Sequence, residues 1–125
     1  MIDIERQMAH WRGSAEEDMA VGRDLVARQK PRHGLFFVHL ALEKALKALV
    51  CRATSETPPK IHNLVRLSEL AGIHPTQQQM DVLADMNVFN LEGRYPETLP
   101  SFPTQAEVRE ILGRAQEALR WLMNL

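Results

Sequence analysis

The sequence has a single cysteine, few aromatic residues and almost no net charge, and each shortage excludes a class of protein. One cysteine cannot close an internal disulfide or supply the paired ligands of a zinc-finger site. Fifteen basic and sixteen acidic residues leave a formal charge of -1, so no overall field draws the chain to nucleic acid or anionic membrane. The N-terminal segment lacks the apolar core of a signal peptide, and we expect a cytoplasmic protein.

A long hydrophobic run is also missing. The longest apolar stretch, residues 35–50, is interrupted by charged side chains and is too short to span a bilayer. With 125 residues, 45% of them hydrophobic and 25% charged, the chain has ordinary globular composition. A chain of this size buries about two-thirds of the surface that it exposes when unfolded. We therefore expect residues 1–125 to form one domain without a disulfide or metal.

Apolar residues recur at steps of three and four along most of the chain, which is the period of amphipathic helices. One of the segments is apolar on nearly every side, so it must be covered on most sides and is placed at the centre of the fold. The sequence predicts an all-α, up-and-down four-helix bundle with one additional short helix. The predicted helices cover about residues 3–29, 33–53 (the central one), 62–71 (the short one), 76–92 and 104–122.

Local signals mark the ends of these helices. Lys30-Pro31 ends the first, since the residue before a proline avoids helical geometry, and Gly72 is placed to cap the short helix. Gly22 lies inside the first helix, where a glycine destabilises the helix by roughly 1 kcal/mol relative to alanine. It either weakens this helix or marks a close approach of two helices. Capping boxes open two helices, Thr76 with Gln79 and Thr104 with Glu107.

Motifs for well-known chemistries are absent. The sequence contains no phosphate-binding glycine loop, no HExxH metal motif and no EF-hand spacing. Its five histidines are scattered, with no pair at i, i+4, so we expect neither a metal site nor a cofactor. Cys51 falls in the apolar run of the central helix, where a buried, inert thiol is expected.

Two polar features are left as candidates for a site. Glu43, Lys44 and Lys47 are the only charges of the central helix between residues 35 and 51. Either Glu43 and Lys47 form an i, i+4 ion pair on the side that meets water, or the charges of this helix point into a cleft. Arg94 and Tyr95 follow Gly93 on a proline-stiffened segment. They either cap the fourth helix and cover the core, or bind a phosphate and stack on a base.

Several of these residues occur together in a recognisable order. The block ALEKALKAL at 41–49 is followed by His62-Asn63-Leu64, Asn87 and Arg94-Tyr95-Pro96, and Trp11, Ala15 and Asp18 fit the opening pattern. This set resembles the HEPN family, the higher-eukaryote and prokaryote nucleotide-binding domain, over essentially the whole chain.

The resemblance implies a helical bundle that is commonly a homodimer and is often encoded beside a minimal nucleotidyltransferase. Many such domains are metal-independent endoribonucleases of toxin–antitoxin or defence systems. Their active site is an arginine followed four to six residues later by a histidine, near the start of the last helix. Other members are thought to bind nucleotides or to be the helical partner of the transferase.

This sequence departs from the nuclease pattern. No histidine follows Arg94, because the last one in the chain is His74. Arg28 and His33 match the spacing but fall between the first two helices, and we interpret them as part of a solvated basic turn. Phe89 stands where the family usually has a tyrosine.

Three functional hypotheses follow from these observations. The favoured one is a nucleotide-binding module or helical partner of a minimal nucleotidyltransferase, as in a toxin–antitoxin pair, with an arginine and a lysine on the phosphate. The second is a metal-independent endoribonuclease toxin that uses Arg94 as the cation and His62 as the base. The third is a structural adaptor without a site. The residues expected to bind nucleotide or RNA are Lys44, Lys47, His62, Asn87, Arg94 and Tyr95.

Two expectations concern geometry. We expect Arg94 to be partly buried near Asn87 and near the polar strip of the central helix. We also expect a two-fold symmetric homodimer that buries above about 1,000 Å² in total, with two helices of each subunit in the contact. The reason is that the central helix is apolar on nearly every side, and one small bundle does not cover all of it.

Overall fold

The computed structural model describes residues 2–92 and 101–125. Within these ranges the chain is all-helical, without a strand, and the prediction of four long helices and a short one is confirmed. Arg94 and Tyr95 lie outside the described residues, and the prediction that Arg94 is partly buried therefore concerns a residue outside them. The helices are α1 (Ile4–Ala27), α2 (Pro31–Thr54), α3 (Leu64–Leu70), α4 (Gln77–Glu92) and α5 (Gln105–Met123).

The predicted caps are present at the helix ends. The side chains of Thr76 and Gln79 each accept a hydrogen bond from the other's backbone N–H at the start of α4. Thr104 and Glu107 do the same at the start of α5. Gly72 follows α3 with a φ of +69°, the left-handed conformation that glycine adopts at little cost.

The turn between the first two helices is tighter than the sequence indicated. α1 ends at Ala27, and Gln29 takes a positive φ of 64°. α2 then begins at Pro31, two residues earlier than expected, because proline fits the first helical position, where no N–H is needed.

α1 and α2 are antiparallel and meet at two glycines. A Cβ atom placed on Gly22 would lie 2.8 Å from the carbonyl oxygen of Gly34 and 2.7 Å from Cγ2 of Val38. A Cβ atom on Gly34 would lie 2.8 Å from the carbonyl oxygen of Gly22. The backbones therefore touch at this point, which confirms the close-approach interpretation of Gly22.

α2 is the central helix, as predicted, and contacts all four of the others. Four of its five leucines, Leu35, Leu42, Leu46 and Leu49, are almost completely buried, in the same core cluster as Leu83 and Met86 of α4 and Leu122 of α5. No helix in the described ranges is both long and apolar enough to cross a membrane.

Candidate functional site

The site centres on three polar residues of α2 that the bundle buries. His39, Glu43 and Lys47 follow one another at four-residue steps, so they lie along one side of the helix. The exposed fractions of these three residues are 0%, 4% and 6%, in that order. Because a buried charge is costly unless it is paired and hydrogen-bonded, the partners of these groups determine what the cluster can do.

Glu43 is the hub of this cluster. One carboxylate oxygen, Oε2, lies 3.1 Å from Nζ of Lys47. The other, Oε1, lies 3.0 Å from Nδ1 of His62, which belongs to the segment that leads into α3. Since a carboxylate only accepts hydrogen bonds, Nδ1 of His62 carries a proton and donates it here, which leaves Nε2 for another partner.

The two histidines near Glu43 have opposite environments. The side chain of His62 is 43% exposed, so its ring extends from the buried carboxylate to solvent. His39 is fully buried, and neither of its ring nitrogens has a well-formed hydrogen bond among the described residues. Burial lowers the pKa of His39 to about 4, against the opposing effect of the Glu43 charge 3.9 Å away. His39 is therefore neutral at pH 7.

Asn87 of α4 holds the segment that carries His62. Its Oδ1 accepts a hydrogen bond of 2.8 Å from the backbone N–H of Leu64, and its Nδ2 is 3.4 Å from Oδ1 of Asn63. Asn63 in turn caps α3 by accepting a hydrogen bond from the backbone N–H of Arg66. Asn87 thus ties α4 to the start of α3, immediately after His62.

Lys44 lies apart from this group. Its ammonium is 2.7 Å from Oδ2 of Asp18 and 2.8 Å from Oγ of Ser14, both on α1. Lys47 also meets α1, with its ammonium 5.6 Å from the ring centroid of Trp11. Of the six predicted site residues, the structure brings Lys47 and His62 together on Glu43, places Asn87 against the segment that follows His62, and directs Lys44 to α1.

Sequence reasoning omitted two members of the cluster, His39 and Glu43, from the site. The four-residue spacing of His39, Glu43 and Lys47 on a helix that is otherwise apolar was the available signal. This spacing places all three residues on one side of α2, but only Lys47 is among the predicted site residues. The sequence indicates Glu43 as a partner in an ion pair or as a charge pointing into a cleft, but Glu43 is not among the predicted site residues.

Other sequence candidates take structural roles. Arg28 forms an exposed ion pair with Asp24 at 3.1 Å, as a solvated turn requires. Phe89 is buried and packs edge-to-face with Phe102. Burial raises the pKa of the Cys51 thiol, which fits an unreactive core cysteine.

No cluster of three His, Cys, Asp or Glu side chains in the described parts of the chain is arranged to hold a metal ion.

A scan of family models matches the HEPN domain over residues 8–125. The chain belongs to the HEPN family. Among solved structures, the crystal structure of TT1696 from Thermus thermophilus is similar, with a TM-score of 0.78 at 20% sequence identity. The likeness covers 94% of this chain and 97% of that one, and it shows the shared fold. No curated protein sequence matches the chain.

Proposed function

We propose that this HEPN domain binds a phosphate group of a nucleotide or of RNA beside His62. In this role it is a nucleotide-binding module, or the helical partner of a minimal nucleotidyltransferase. The observation that carries the proposal is the bond between the buried carboxylate of Glu43 and Nδ1 of His62, whose ring is 43% exposed.

A ring anchored in this way suits phosphate recognition. Binding that immobilises a mobile side chain costs rotamer entropy, and the Glu43 bond has already fixed the orientation of His62. When the ring is protonated on both nitrogens, Nε2–H donates a hydrogen bond to a phosphate oxygen. The charge of Lys47 is balanced by Glu43 at 3.1 Å, so a second cation is needed to complete the site. Arg94, which follows α4 in the sequence, is our candidate, because guanidinium groups bind phosphate through two parallel hydrogen bonds.

Isothermal titration calorimetry with ATP and with a short single-stranded RNA tests the proposal. We expect His62→Ala and Arg94→Ala each to weaken binding by about 10- to 150-fold, the range for a hydrogen bond to a charged group. His74→Ala and Arg66→Ala, at exposed positions, are matched controls that retain parent affinity.

Circular dichroism of the same variants separates binding from folding. Helix content should stay at the parent value in both test variants. If Arg94→Ala loses fold and binding together, Arg94 is a structural cap. If the parent binds neither ligand, or His62→Ala binds as tightly as the parent, the phosphate site is wrong and the adaptor hypothesis replaces it.

The partnership has a separate test. We expect co-expression with the product of the neighbouring gene to give a stable complex if that gene encodes a minimal nucleotidyltransferase. The complex should survive His62→Ala, because that variant removes a ligand contact and leaves the helices in place. A transferase that does not bind the chain contradicts the partnership and leaves nucleotide binding untouched.

The second candidate function is metal-independent cleavage of RNA, and the same His62–Glu43 bond favours it. Nε2 of His62 would accept the proton of a ribose 2′-hydroxyl, whose oxygen attacks the adjacent phosphorus. The 5′-oxygen then leaves and takes a proton from solvent water, giving a 2′,3′-cyclic phosphate and a 5′-hydroxyl, while Arg94 stabilises the extra negative charge of the transition state. Cleavage of single-stranded RNA in EDTA that is abolished by His62→Ala would establish this activity; intact RNA would exclude it.

A further inference from the structure

A groove lies at the end of the bundle where α1 turns into α2. The turn forms one wall and the start of α5 forms the other, and the groove has a volume of about 300 Å³. A second hollow of about 420 Å³ adjoins it at Gln29 and Pro31 and extends to Phe102. We call the two hollows together the turn groove. Most residues that line its first part are aliphatic: Val26, Ala27, Pro31, Pro103 and Val108.

A contact across the turn groove fixes its shape. Nε2 of Gln105, on α5, donates a hydrogen bond of 3.0 Å to Oε1 of Gln29, in the turn. Gln29 has a φ of 64°, a left-handed conformation that a residue with a Cβ keeps only when its surroundings require it. The groove is therefore formed before a ligand binds, and a preformed surface loses less conformational entropy on binding.

The rim of the turn groove is positive, although the whole chain has a formal charge of -1. No acidic residue occurs between positions 25 and 42, whereas this stretch contains Arg28, Lys30 and Arg32. Arg109 of α5 lines the groove and adds a fourth cation. Lys30 and Arg109 are exposed, and neither forms an ion pair within the described residues. Their charges can therefore pair with a negatively charged ligand.

The neighbouring acidic residues do not offset this charge. Asp24 already pairs with Arg28 at 3.1 Å. Glu107 and Glu110 lie on the side of α5 opposite to the residues that line the groove, because each residue advances the helix by about 100°. The carboxylate of Glu107 is also bound in the capping box of α5. The rim of the turn groove therefore favours anions.

The lining of the groove distinguishes between kinds of anion. Proteins hold single-stranded nucleic acid largely by stacking its bases on aromatic rings. The described residues that line the groove include neither tyrosine nor tryptophan. The ring of Phe102 already has neighbours, with the guanidinium of Arg32 at 5.4 Å from its centroid and the ring of Phe89 packed edge-to-face. An aliphatic lining instead suits an aliphatic side chain, so the groove favours a peptide over a nucleic acid.

We propose that the turn groove binds an acidic peptide segment of another protein. One aliphatic side chain of the segment fills the groove, and carboxylates beside it pair with Lys30 and Arg109. Opposite charges of this kind speed association and fix the orientation of the segment. The surface is distinct from the phosphate site, because Glu43, which binds His62, lies about 18 Å along α2 from Pro31.

Selection from a phage-displayed library of random peptides of about twelve residues, with the full chain as the target, tests the proposal. We expect the selected peptides to be enriched in aspartate and glutamate and to share a leucine, isoleucine or valine. Fluorescence anisotropy of the tightest labelled peptide then gives its affinity. Replacing its aliphatic residue by serine should weaken binding by at least about 10-fold, because the groove is left unfilled.

Charge reversal locates the peptide on the protein. Lys30→Glu and Arg109→Glu should each weaken binding by about 10-fold or more, because each replaces an attraction by a repulsion. Lys60→Glu and Arg120→Glu make the same change at exposed positions outside the groove and should retain parent affinity. Arg120 lies three turns after Arg109 on the same helix, which makes it the matched control.

Three outcomes overturn the proposal. The first is a selection that yields no acidic peptides. The second is an acidic peptide that Lys30→Glu and Arg109→Glu bind as tightly as the parent, since it would then occupy another surface. The third is displacement of the peptide by an oligouridylate of about twelve nucleotides whose own binding these two variants weaken, which would assign the groove to RNA.

One further variant separates this proposal from the phosphate site. His62→Ala removes the proposed phosphate contact and should leave the affinity for the peptide at the parent value. A parallel loss of peptide binding in His62→Ala would contradict a separate surface at the turn. Failure of the chain to bind ATP or RNA leaves the expected peptide binding unchanged, so the two proposals fail independently.

Discussion

Nδ1 of His62 lies 3.0 Å from Oε1 of Glu43, and the two side chains differ sharply in exposure, 43% for the imidazole and 5% for the carboxylate. The bond therefore connects the interior of the bundle to its surface. Lys47, 8% exposed, compensates the carboxylate charge from the next turn of α2. The buried carboxylate of Glu43 accepts hydrogen bonds from Lys47 and His62, and it thereby fixes the orientation of the solvent-facing His62 ring.

The first prediction concerns this compensation. Glu43→Ala should lower the free energy of unfolding by about 3–5 kcal/mol, because it leaves the buried ammonium of Lys47 without a counter-charge. The double variant Glu43→Leu/Lys47→Met should be more stable than Glu43→Ala, since it removes both charges and keeps apolar volume. Urea denaturation followed by circular dichroism measures both.

An exposed ion pair provides the matched control. Arg66 and Glu69 are 3.0 Å apart with side chains 58% and 57% exposed, and Arg66→Ala should cost less than about 1 kcal/mol. A loss for Glu43→Ala as small as that of Arg66→Ala would mean that water reaches Lys47 and that the cluster is not dry.

Much of the fold could be predicted from local sequence because local interactions set it. The capping boxes at Thr76 and Thr104 satisfy backbone groups within four residues, so their signals can be read without knowing the tertiary structure. The all-round apolar character of α2 likewise required a central position. The start of α2 at Pro31 was not predicted, because a proline can end the preceding helix and can also occupy the first position of the next one.

The site could be predicted only in part. The Glu43–Lys47 pair follows from its four-residue spacing, whereas the Glu43–His62 bond joins residues 19 apart across a non-helical segment. No periodicity links those two positions. The direction of Lys44 toward Asp18 depends on the register between α1 and α2, which the contact between Gly22 and Gly34 sets. That register is a tertiary property, so the spacing of charges within α2 does not predict which neighbouring element Lys44 contacts.

The second prediction tests the glycine contact. Gly22→Ala should destabilise the protein by about 1–3 kcal/mol, although alanine favours a helix by about 1 kcal/mol over glycine, because its Cβ meets the backbone of Gly34. Gly113→Ala is the matched control, since nothing lies within 4 Å of the added Cβ there. It should stabilise the protein by up to about 1 kcal/mol. Equal effects of the two variants on the urea midpoint would contradict the close approach.

The third prediction concerns the cap of the last helix. Thr104→Ala should lower the free energy of unfolding by about 0.5–2 kcal/mol, because Oγ1 of Thr104 accepts a hydrogen bond from the backbone N–H of Glu107. Thr104→Ser keeps this acceptor and should retain most of the stability. If alanine and serine give the same thermal midpoint, the capping box does not stabilise α5.

The last prediction is a dependence of stability on pH from His39. Its pKa is about 4 in the folded chain and 6.5 in the unfolded chain, so the unfolded state binds the proton more tightly. The contribution of His39 to stability is fully present above pH 6.5. It is lost as the pH falls from 6.5 through 4, by an amount on the order of 3 kcal/mol.

Urea denaturation between pH 7 and 4.5 measures this loss, and His39→Gln isolates it. Glutamine is polar, of similar size and does not titrate in this range, so the variant should lose less stability than the parent as the pH falls. His74→Gln removes an exposed histidine and should follow the parent curve. The same slope for His39→Gln and the parent would show that His39 gains its proton in the folded state as readily as in the unfolded one. Burial without a well-formed hydrogen bond to either ring nitrogen is what opposes that gain.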